Sequence, residues 1–553
     1  MTAVEQRPRA GRIVLIGGGV ANASFLISLN RWLDGPGRSG IGLPQALRVT
    51  VVDRDGEYGG GLAYRGSTGP SLLMNDPAGK IDSSAIGFCP WLVRRADAWQ
   101  AALREDQRAW DDERVGRWLR EHEQSVRSGE VEGLYVPRSV FGMFIREAFA
   151  DACRALAAHP QSRVHVETIA AEAVDVLRTA RAPLSVCLDR APYRLPADAV
   201  VLGIGSVRRG PEPAFADGPG FFDDLFGHDV REVADELAAI LGRTPPGGRR
   251  VALLGAAATT VELLHGIATT PALLDLVDEA IVVAPRGILP GGLPSDPERE
   301  PFDFPALGAL TAPGTHRPDA DRLLEAVMAD LAASRALGFT IIDVTPGLQE
   351  RFRVLFGRLP DPEKKRFVAH RSRVMRALTR RTSPAYARSL DDLSRRGILT
   401  LLRGRAHAAR RAADGMFLLE LGGLADPAGA RTQQLRAAAV FDCRGFGDLG
   451  ACRDPLMENL MAGGLIRAND GRQGIAVDDR LEAADGVFVH GAMLVGHSEG
   501  ADHFWHLDSV GWIHTMAARL VPDVLERLTS PVPESPAPAV PSPAPTPQIA
   551  GSR

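Results

Sequence analysis

Apolar runs that end in small residues occur at two places along this chain. The segment RIVLIGGGVANASF (12–25) passes from a continuous apolar run through three glycines into residues with helical spacing, and RVALLGAAATTVEL (250–263) repeats that order. A short apolar run that leads into a 3.6-residue periodicity is typical of a buried strand followed by a helix. The pattern therefore predicts an α/β fold with two Rossmann-like dinucleotide-binding units.

Further strands and two helical insertions complete the predicted fold. We expect strands in RVHVE, LSVCL and YRLPADAVVLGIGS, the first of which leads into a small antiparallel meander. Residues 91–125 contain four tryptophans among many charges, and residues 301–396 also have a helical pattern. We interpret both segments as helical insertions that cover a site.

Composition excludes several classes of function. A chain of 553 residues is too long for one core, and its net charge of −4 does not indicate nucleic-acid binding. No apolar run reaches the roughly 20 residues that span a bilayer, and the first residues lack a signal peptide's apolar region, so a cytoplasmic protein is expected. The 5 cysteines include no CxxC pair, which argues against a dithiol–disulfide reductase.

The first glycine turn has the features of a pyrophosphate site. Gly17 allows the tight turn, and Gly19 lets the backbone approach a pyrophosphate at the helix N-terminus. Asn22 stands where the usual motif has a third glycine, which predicts more room or a local hydrogen bond. The next strand ends at Asp53, with Arg54 beside it, and a carboxylate there can accept hydrogen bonds from ribose hydroxyls. The alternative is a plain βαβ unit without a ligand.

Several motifs in fixed order resemble a known family. They are YGGGLAYRGSTGPSLLMNDPAGKID (58–82), YVPRSVFGMFIREAF (135–149), ADAVVLGIGS (197–206), APRGILPGG (284–292), RRTSPAYARSLDDLSRRGILTLLRGR and GVFVHGAMLVGHSEGADHFWHLDSVGWI. With these motifs the chain resembles the FAD/NAD(P)-binding flavoproteins that have two dinucleotide-binding domains, which are distant relatives of flavin-dependent N-hydroxylating and Baeyer–Villiger monooxygenases.

The resemblance implies a glutathione-reductase-like FAD fold. It places an FAD-binding domain at 11–215 and 436–528, with an NAD(P)-type domain and a helical segment inserted at 216–435. The Pro/Ala/Ser-rich segment 529–553 is predicted to be a disordered tail, because it cannot bury enough apolar surface to order itself.

The resemblance also implies a set of flavin-site residues. Contacts to FAD are expected from the glycines and neighbouring residues that match the family's motifs: Gly61, Leu62, Asn75, Gly203, Gly205, Gly491 and Gly496. Arg138 is expected either to meet a phosphate or to hold its loop. A helix directly after VGHSEGAD would point its N-terminus at the flavin.

Departures from the family pattern leave the second nucleotide site less certain than the first. The second turn is Gly255-Ala256-Ala257, which lacks the middle glycine. Arg286 follows the strand of the second unit, where an arginine can bind the 2′-phosphate of NADPH, although it also fits a surface residue. The Baeyer–Villiger fingerprint is not visible. FAD is therefore better supported than NADPH.

Arginines and histidines supply further candidates. Arg373, Arg376 and Arg380 repeat at helical spacing, which is typical of a solvated face or of an anion site. His497 and His503 are the candidate catalytic residues, because histidine titrates near neutral pH. His503 and His506 would share one helix face. Structural hydrogen bonding is the alternative for these histidines, and no tight signature indicates a metal.

The favoured function is an NADPH-dependent flavin monooxygenase, as the resemblance implies. NADPH would reduce FAD, and the reduced flavin would use O2 to oxygenate a small molecule, for instance by N-hydroxylation. One alternative is an oxidase or dehydrogenase whose second nucleotide turn has decayed, as the alanine at position 257 suggests. The other is a non-catalytic flavin-binding protein. Substrate identity and oligomeric state do not follow from the sequence.

Overall fold

The structure is a computed structural model, and it describes the greater part of the chain. The described residues are 10–35, 44, 46–66, 69–110, 112–159, 163–179, 183–190, 193–206, 209, 212–215, 218–223, 225, 229–294, 299–312, 318–423, 433–445, 447–499, 502–503 and 509–529. The predicted tail, apart from its first residue, and the side chain of His503 lie outside this description, as does His506.

Nineteen strands and seventeen helices are formed by the described residues. The strands are β1 (Gly11–Ile16), β2 (Ala46–Asp53), β3 (Arg163–Ala170), β4 (Ala173–Leu177), β5 (Leu184–Leu188), β6 (Arg194–Ala197), β7 (Ala199–Leu202), β8 (Phe221–Phe222), β9 (Arg250–Leu254), β10 (Glu279–Ala284), β11 (Leu399–Arg403), β12 (Arg405–Arg411), β13 (Phe417–Gly422), β14 (Gln433–Ala437), β15 (Ala439–Asp442), β16 (Glu482–Ala484), β17 (Val487–Val489), β18 (Ser498–Glu499) and β19 (Asp502–His503). The helices are α1 (Val20–Asp34), α2 (Ala78–Ile81), α3 (Phe88–Arg94), α4 (Ala96–Trp110), α5 (Glu113–Ser128), α6 (Arg138–Ala158), α7 (Val230–Arg243), α8 (Ala258–Thr269), α9 (Pro271–Leu274), α10 (Pro305–Ala309), α11 (Ala320–Ala336), α12 (Ile341–Gly357), α13 (Asp361–His370), α14 (Ser372–Leu378), α15 (Pro384–Arg395), α16 (Pro455–Ala462) and α17 (Val510–Thr529).

Two sheets are built on one plan. The first has the order β16-β17-β7-β1-β2-β3, and its central strand β1 is parallel to both β2 and β7. The second has the order β11-β10-β9-β15-β8, and its central strand β9 is parallel to both β10 and β15. The apolar sequences of β1 and β9 follow from this position, because a central parallel strand is covered on both faces.

A three-stranded antiparallel meander follows an edge strand of each sheet. The meander β4-β5-β6 lies between β3 and the return strand β7, and β12-β13-β14 lies between β11 and the return strand β15. The predicted α/β class and the two Rossmann-like units are confirmed, and the duplication extends over whole domains. We call the units around the two sheets the first domain and the second domain.

One strand lies on the other side of a predicted domain boundary. The sequence analysis began the last FAD segment at residue 436, but β15 pairs with β9 and β8 in the second sheet. The return strand completes the sheet of the domain that it leaves, so the chain re-enters the first domain after Asp442. The other domain boundaries remain predictions.

The two predicted insertions are helical. Helices α3 to α5 carry Trp91, Trp99 and Trp118, which are buried, and Trp99 stacks edge to face against Trp118. Helices α10 to α14 surround a hydrophobic cluster of their own, which includes Phe352, Phe356 and Phe367. Within the described residues, no helix is long and apolar enough to cross a membrane.

Candidate functional site

The first turn requires glycine at position 17 for a steric reason. Gly17 has φ +100°, and its N–H donates to Val52 O of the neighbouring strand at 2.8 Å. A Cβ atom at this position would lie 2.5 Å from Gly203 O, in the segment that follows β7. The turn is therefore fixed by a backbone conformation and a close approach that only glycine permits.

Gly19 leaves an open space at the N-terminus of α1. It precedes the helix with φ −77° and ψ −172°, no side chain caps the helix, and its first turn has no acidic residue. A Cβ on Gly19 would meet one backbone atom within 4 Å, Gly61 Cα at 3.7 Å. Free N–H groups and a positive helix end beside open space suit a pyrophosphate.

The acid at the end of β2 is fixed by the glycine turn itself. Asp53 Oδ2 accepts a hydrogen bond from Gly18 N at 2.7 Å, and its Oδ1 accepts one from Asp55 N at 3.0 Å. A carboxylate has about four lone-pair positions, so two bonds leave acceptor capacity for ribose hydroxyls. Arg54 is about half exposed and lies 3.7 Å from Asp55. The sequence analysis assigned no role to Gly18.

Asn22 replaces the third glycine with a hydrogen-bonding side chain. It is fully buried, and its Nδ2 donates to Gly17 O at 2.8 Å and to Ile16 O at 3.0 Å. A Cβ on Gly203 would lie 2.5 Å from Asn22 Nδ2, so a glycine is also needed there. Asn22 therefore braces the turn from inside, in agreement with the local hydrogen bond expected from the sequence.

The second domain contains a turn with the same main contacts. Gly255 has φ +112°, and its N–H donates to Val283 O at 2.8 Å. A Cβ on Gly255 would lie 2.3 Å from Cys443 O, which follows β15 as Gly203 follows β7. Thr260 Oγ1 donates to Gly255 O at 2.8 Å, five residues on, as Asn22 does in the first turn.

Ala257 is the difference between the two turns. It precedes α8 with φ −105° and ψ −169°, close to the backbone conformation of Gly19, and α8 also begins without a side-chain cap or an acidic first turn. This extended conformation is open to any residue. The alanine at position 257 therefore causes no backbone strain. Its only consequence is that a methyl group occupies, in the second turn, the space that is open in the first turn.

Comparisons with known proteins agree with this duplicated geometry. Residues 14–207 match the family model described as FAD-NAD(P)-binding. The chain is 26% identical to an uncharacterized protein of Mycobacterium tuberculosis, over 93% of this chain and 95% of that protein. It is similar to the ornithine N-hydroxylase of Kutzneria sp. 744 (TM-score 0.51, 15% identity, 94% and 100% of the two chains) and to the L-lysine 6-monooxygenase of Pseudomonas syringae (TM-score 0.53, 16% identity, 94% and 99%).

This chain has the two-domain FAD/NAD(P)-binding flavoprotein fold. The resemblance stated from the sequence motifs is thereby confirmed, with ornithine and lysine hydroxylases among its structural neighbours. At these identities the likeness to solved structures establishes the fold alone. Individual site residues must be judged from the geometry of this chain.

The segment that follows β17 packs beside the first glycine turn. Gly491 has φ +79°, and a Cβ there would lie 3.0 Å from Ala21 Cβ in the first turn of α1. Gly496 has φ +87° and packs against Asn469, whose Nδ2 donates to Val495 O at 2.6 Å. These contacts bring the 491–497 segment beside the first glycine turn.

His497 and His503 lie on a hairpin. His497 N donates to Leu494 O at 2.9 Å, and the backbone then enters the ladder in which Ser498 pairs with His503. The sequence analysis placed His503 on a helix, and that expectation is wrong. Its backbone pairs across β18 and β19, and the helix that follows begins at Val510.

The segment between Gly59 and Asn75 lies against the first turn and the domain boundary. Gly61 has φ +59°, Leu62 begins a short 3-10 turn, and Gly59 N donates to Gly18 O at 2.6 Å. The half-buried amide of Asn75 makes no hydrogen bond to other described residues. Gly205 has φ +75°, and a Cβ there would meet no described atom within 4 Å.

Arg138 joins the two domains. Its side chain is buried, it donates to Leu73 O at 3.2 Å, and it forms an ion pair with Glu262, which is fully buried on α8. Burial raises the pKa of Glu262, which the Arg138 guanidinium opposes. Of the two expected roles, the structural one fits these contacts.

A cluster of three arginines lies at the carboxyl ends of β10 and β11. Burial lowers the pKa of the Arg286 guanidinium, and Arg405 and Arg403 lower it further. None of the three side chains has a hydrogen bond or ion pair among the described residues. The sequence analysis identified Arg286 alone, although Arg403 and Arg405 stand together in LLRGR, where one strand ends and the next begins.

The helical repeat of arginines connects the two domains. Arg373 donates to Gly471 O at 3.1 Å, and Arg376 donates to Gln473 Oε1 at 3.3 Å, both in the first domain's loop. Arg380 reaches Ala256 O, inside the second nucleotide turn, at 3.5 Å. These contacts differ from a simple solvated face, and the anion-binding role remains a prediction.

Proposed function

We propose that this protein is an FAD-dependent oxidoreductase that uses NADPH and O2 to oxygenate a small molecule. One observation carries the assignment of cofactors. The strand after the turn ends in Asp53 in the first domain, whereas in the second domain it ends in Ala284, with Arg286 two residues beyond it. A carboxylate suits the ribose hydroxyls of FAD, whereas a guanidinium suits the 2′-phosphate of NADPH.

The residues of the first turn fit FAD. Gly19 and the N-terminus of α1 would hold the pyrophosphate, and Asp53 would bind the adenosine ribose. At Gly61 and Gly491 the backbone would pass close to the cofactor. The chemistry that FAD provides when it is bound is to accept a hydride and to react with O2. The fold likeness to the ornithine and lysine hydroxylases supports this function.

We propose that the substrate is recognised at a group of charged residues beside Asn75, which includes Asp76, Lys80 and Arg381. The Asp76 carboxylate contacts Lys80 Nζ at 2.5 Å, Ser509 Oγ at 3.4 Å and an Arg381 guanidinium nitrogen at 3.8 Å. These residues come from the first domain, the helical segment and the C-terminal segment. A polar substrate would form hydrogen bonds with these residues in place of the bonds that they make to one another. His497 would transfer the substrate's proton.

The alternative of a decayed NADPH site rests on Ala257. Its methyl group stands where Gly19 leaves open space, so a pyrophosphate would approach the second turn less closely. The arginine cluster supports a retained site, because three guanidiniums that have no carboxylate partner in the described part of the chain repel one another unless an anion is bound. An oxidase or a non-catalytic flavoprotein would not need that cluster.

Three readouts on the purified full-length protein test the proposal. Its absorption spectrum should show bound flavin, and NADPH added without oxygen should bleach the flavin band. Oxygen should then be consumed with incorporation into the substrate. Ornithine and lysine are the first candidates, because the structural neighbours are named for them. Flavin that NADPH does not reduce would contradict the proposal, and reduction followed only by H2O2 release with every amine tested would indicate an oxidase.

A further inference from the structure

A cavity away from both nucleotide turns lies between the two domains. It measures about 250 Å³, opens to the surface and is bordered by α5 of the first domain and by α8 and α15 of the second. Its lining includes no residue of either glycine turn. His265 lies eight residues along α8 from Ala257, roughly 12 Å from the second turn at 1.5 Å per residue. The cavity is therefore separate from the dinucleotide sites.

A buried histidine lines this cavity. His265 is 8% exposed, and its Nδ1 lies 2.8 Å from Ser389 Oγ. Ser389 Oγ donates to Ala385 O at 3.3 Å, so the serine accepts from Nδ1–H and Nε2 is left as an acceptor. Burial lowers the pKa of His265 to about 3, so the ring is neutral at pH 7. Nε2 has no hydrogen-bond partner among the described residues, so it calls for a donor from a ligand or a water.

Two of the charged groups in the lining are neutralised within the protein. Arg114 makes two hydrogen bonds to Asp112, at 2.7 and 2.6 Å. Asp392 accepts from Arg396 at 2.8 Å. Neither side chain contributes an uncompensated charge to the cavity.

Three other charged groups in the lining have no ion pair among the described residues. They are Arg117 on α5, Arg388 on α15 and Glu121 on α5. The two guanidiniums and the one carboxylate together give the cavity lining one net positive charge. The rest of the wall combines the hydroxyl groups of Ser71, Thr269 and Ser389 with apolar side chains, which include Leu73, Val115 and the Trp118 ring.

We propose that this cavity binds a small organic monocarboxylate that carries a hydroxyl group. The carboxylate meets Arg117 and Arg388, the apolar body lies against Trp118, and the hydroxyl donates to His265 Nε2. The volume lies below the roughly 300–1,000 Å³ of sites for drug-sized ligands, so the ligand is small.

The first test compares matched probes on the full-length wild-type protein by isothermal titration calorimetry. The probes are 3- and 4-hydroxybenzoate, benzoate, and the corresponding benzyl alcohols. At least one hydroxybenzoate should bind at least about 10-fold more tightly than its benzyl alcohol, because the alcohol lacks the charge-assisted bonds. That hydroxybenzoate should also bind more tightly than benzoate. If no carboxylate exceeds its alcohol, the proposal is wrong.

Variants locate the binding. Arg388→Gln should weaken hydroxybenzoate binding by roughly 10- to 150-fold, the loss expected for a charge-assisted hydrogen bond. Ala268→Leu should abolish binding by filling the cavity without changing a charge. Arg120→Gln is the matched control, since Arg120 is exposed on α5 and does not line the cavity. Equal weakening by Arg120→Gln and Arg388→Gln would overturn the proposal, as would full binding by Ala268→Leu.

Discussion

Replacement of Arg286 by alanine should remove much of the preference for NADPH over NADH. The side chain follows β10, the strand that corresponds to β2 of the first domain, and lies with Arg403 and Arg405 at the carboxyl end of the second sheet. NADPH differs from NADH only by the 2′-phosphate. The substitution should therefore weaken NADPH binding and leave NADH binding almost unchanged.

The expected magnitude follows from the composition of the cluster. A charge-assisted hydrogen bond contributes about 1.5–3 kcal/mol. The pKa of Arg286 is lowered by burial and by its two arginine neighbours, so its removal also relieves repulsion in the free protein. We therefore expect the lower end of the range, about 1.5 kcal/mol, which is roughly a 10-fold loss of discrimination. A variant without all three arginines should lose considerably more.

Anaerobic stopped-flow reduction of the flavin measures the effect. The observed rate is followed against NADPH and NADH concentration, and the ratio of the two apparent affinities is compared between variants. Arg410→Ala is the control, because Arg410 is exposed on β12 and pairs with Glu420. An unchanged ratio in Arg286→Ala would refute the assignment, and so would an equal change in the control.

Three further predictions test other parts of the structure. Gly19→Val should fold but retain little FAD, because its side chain fills the space that Gly19 leaves open; a full flavin content in the purified variant would move the pyrophosphate elsewhere. His497→Ala should lose about 10²–10⁴-fold in turnover while NADPH still reduces its flavin, and normal turnover would remove His497 from the mechanism. Burial lowers the pKa values of His490 and His514 to about 4, below the unfolded value of about 6.5, so stability is full above pH 6.5 and falls towards pH 4, by about 1 kcal/mol between pH 6.5 and pH 5.5 for each histidine. Urea unfolding at pH 6.5 and 5.5 should show a slope smaller by that amount in His490→Gln, and an identical slope would contradict the assignment.

Local features of the sequence were sufficient to predict the strand, glycine turn and helix in residues 12–25. Gly17 and Gly19 could be identified because a tight turn and an open helix N-terminus depend on residues close together in the chain. The bond from Gly18 to Asp53 was missed, since Asp53 was considered only as a partner of the ligand and no role was predicted for Gly18. The expected helix at His503 failed because backbone pairing across a short hairpin leaves no periodic signal.

The two Rossmann units and their order could be predicted from the chain alone, because buried parallel strands need continuous apolar runs and the turns need small residues. Which distant side chains meet, in contrast, depends on how the strands and helices pack. Arg286 joins Arg403 because β10 and β11 run parallel and end at the same edge. The cavity at His265 exists only where helices from two domains pack together. Such contacts depend on how the strands and helices are arranged in space, and no local pattern in the chain encodes that arrangement.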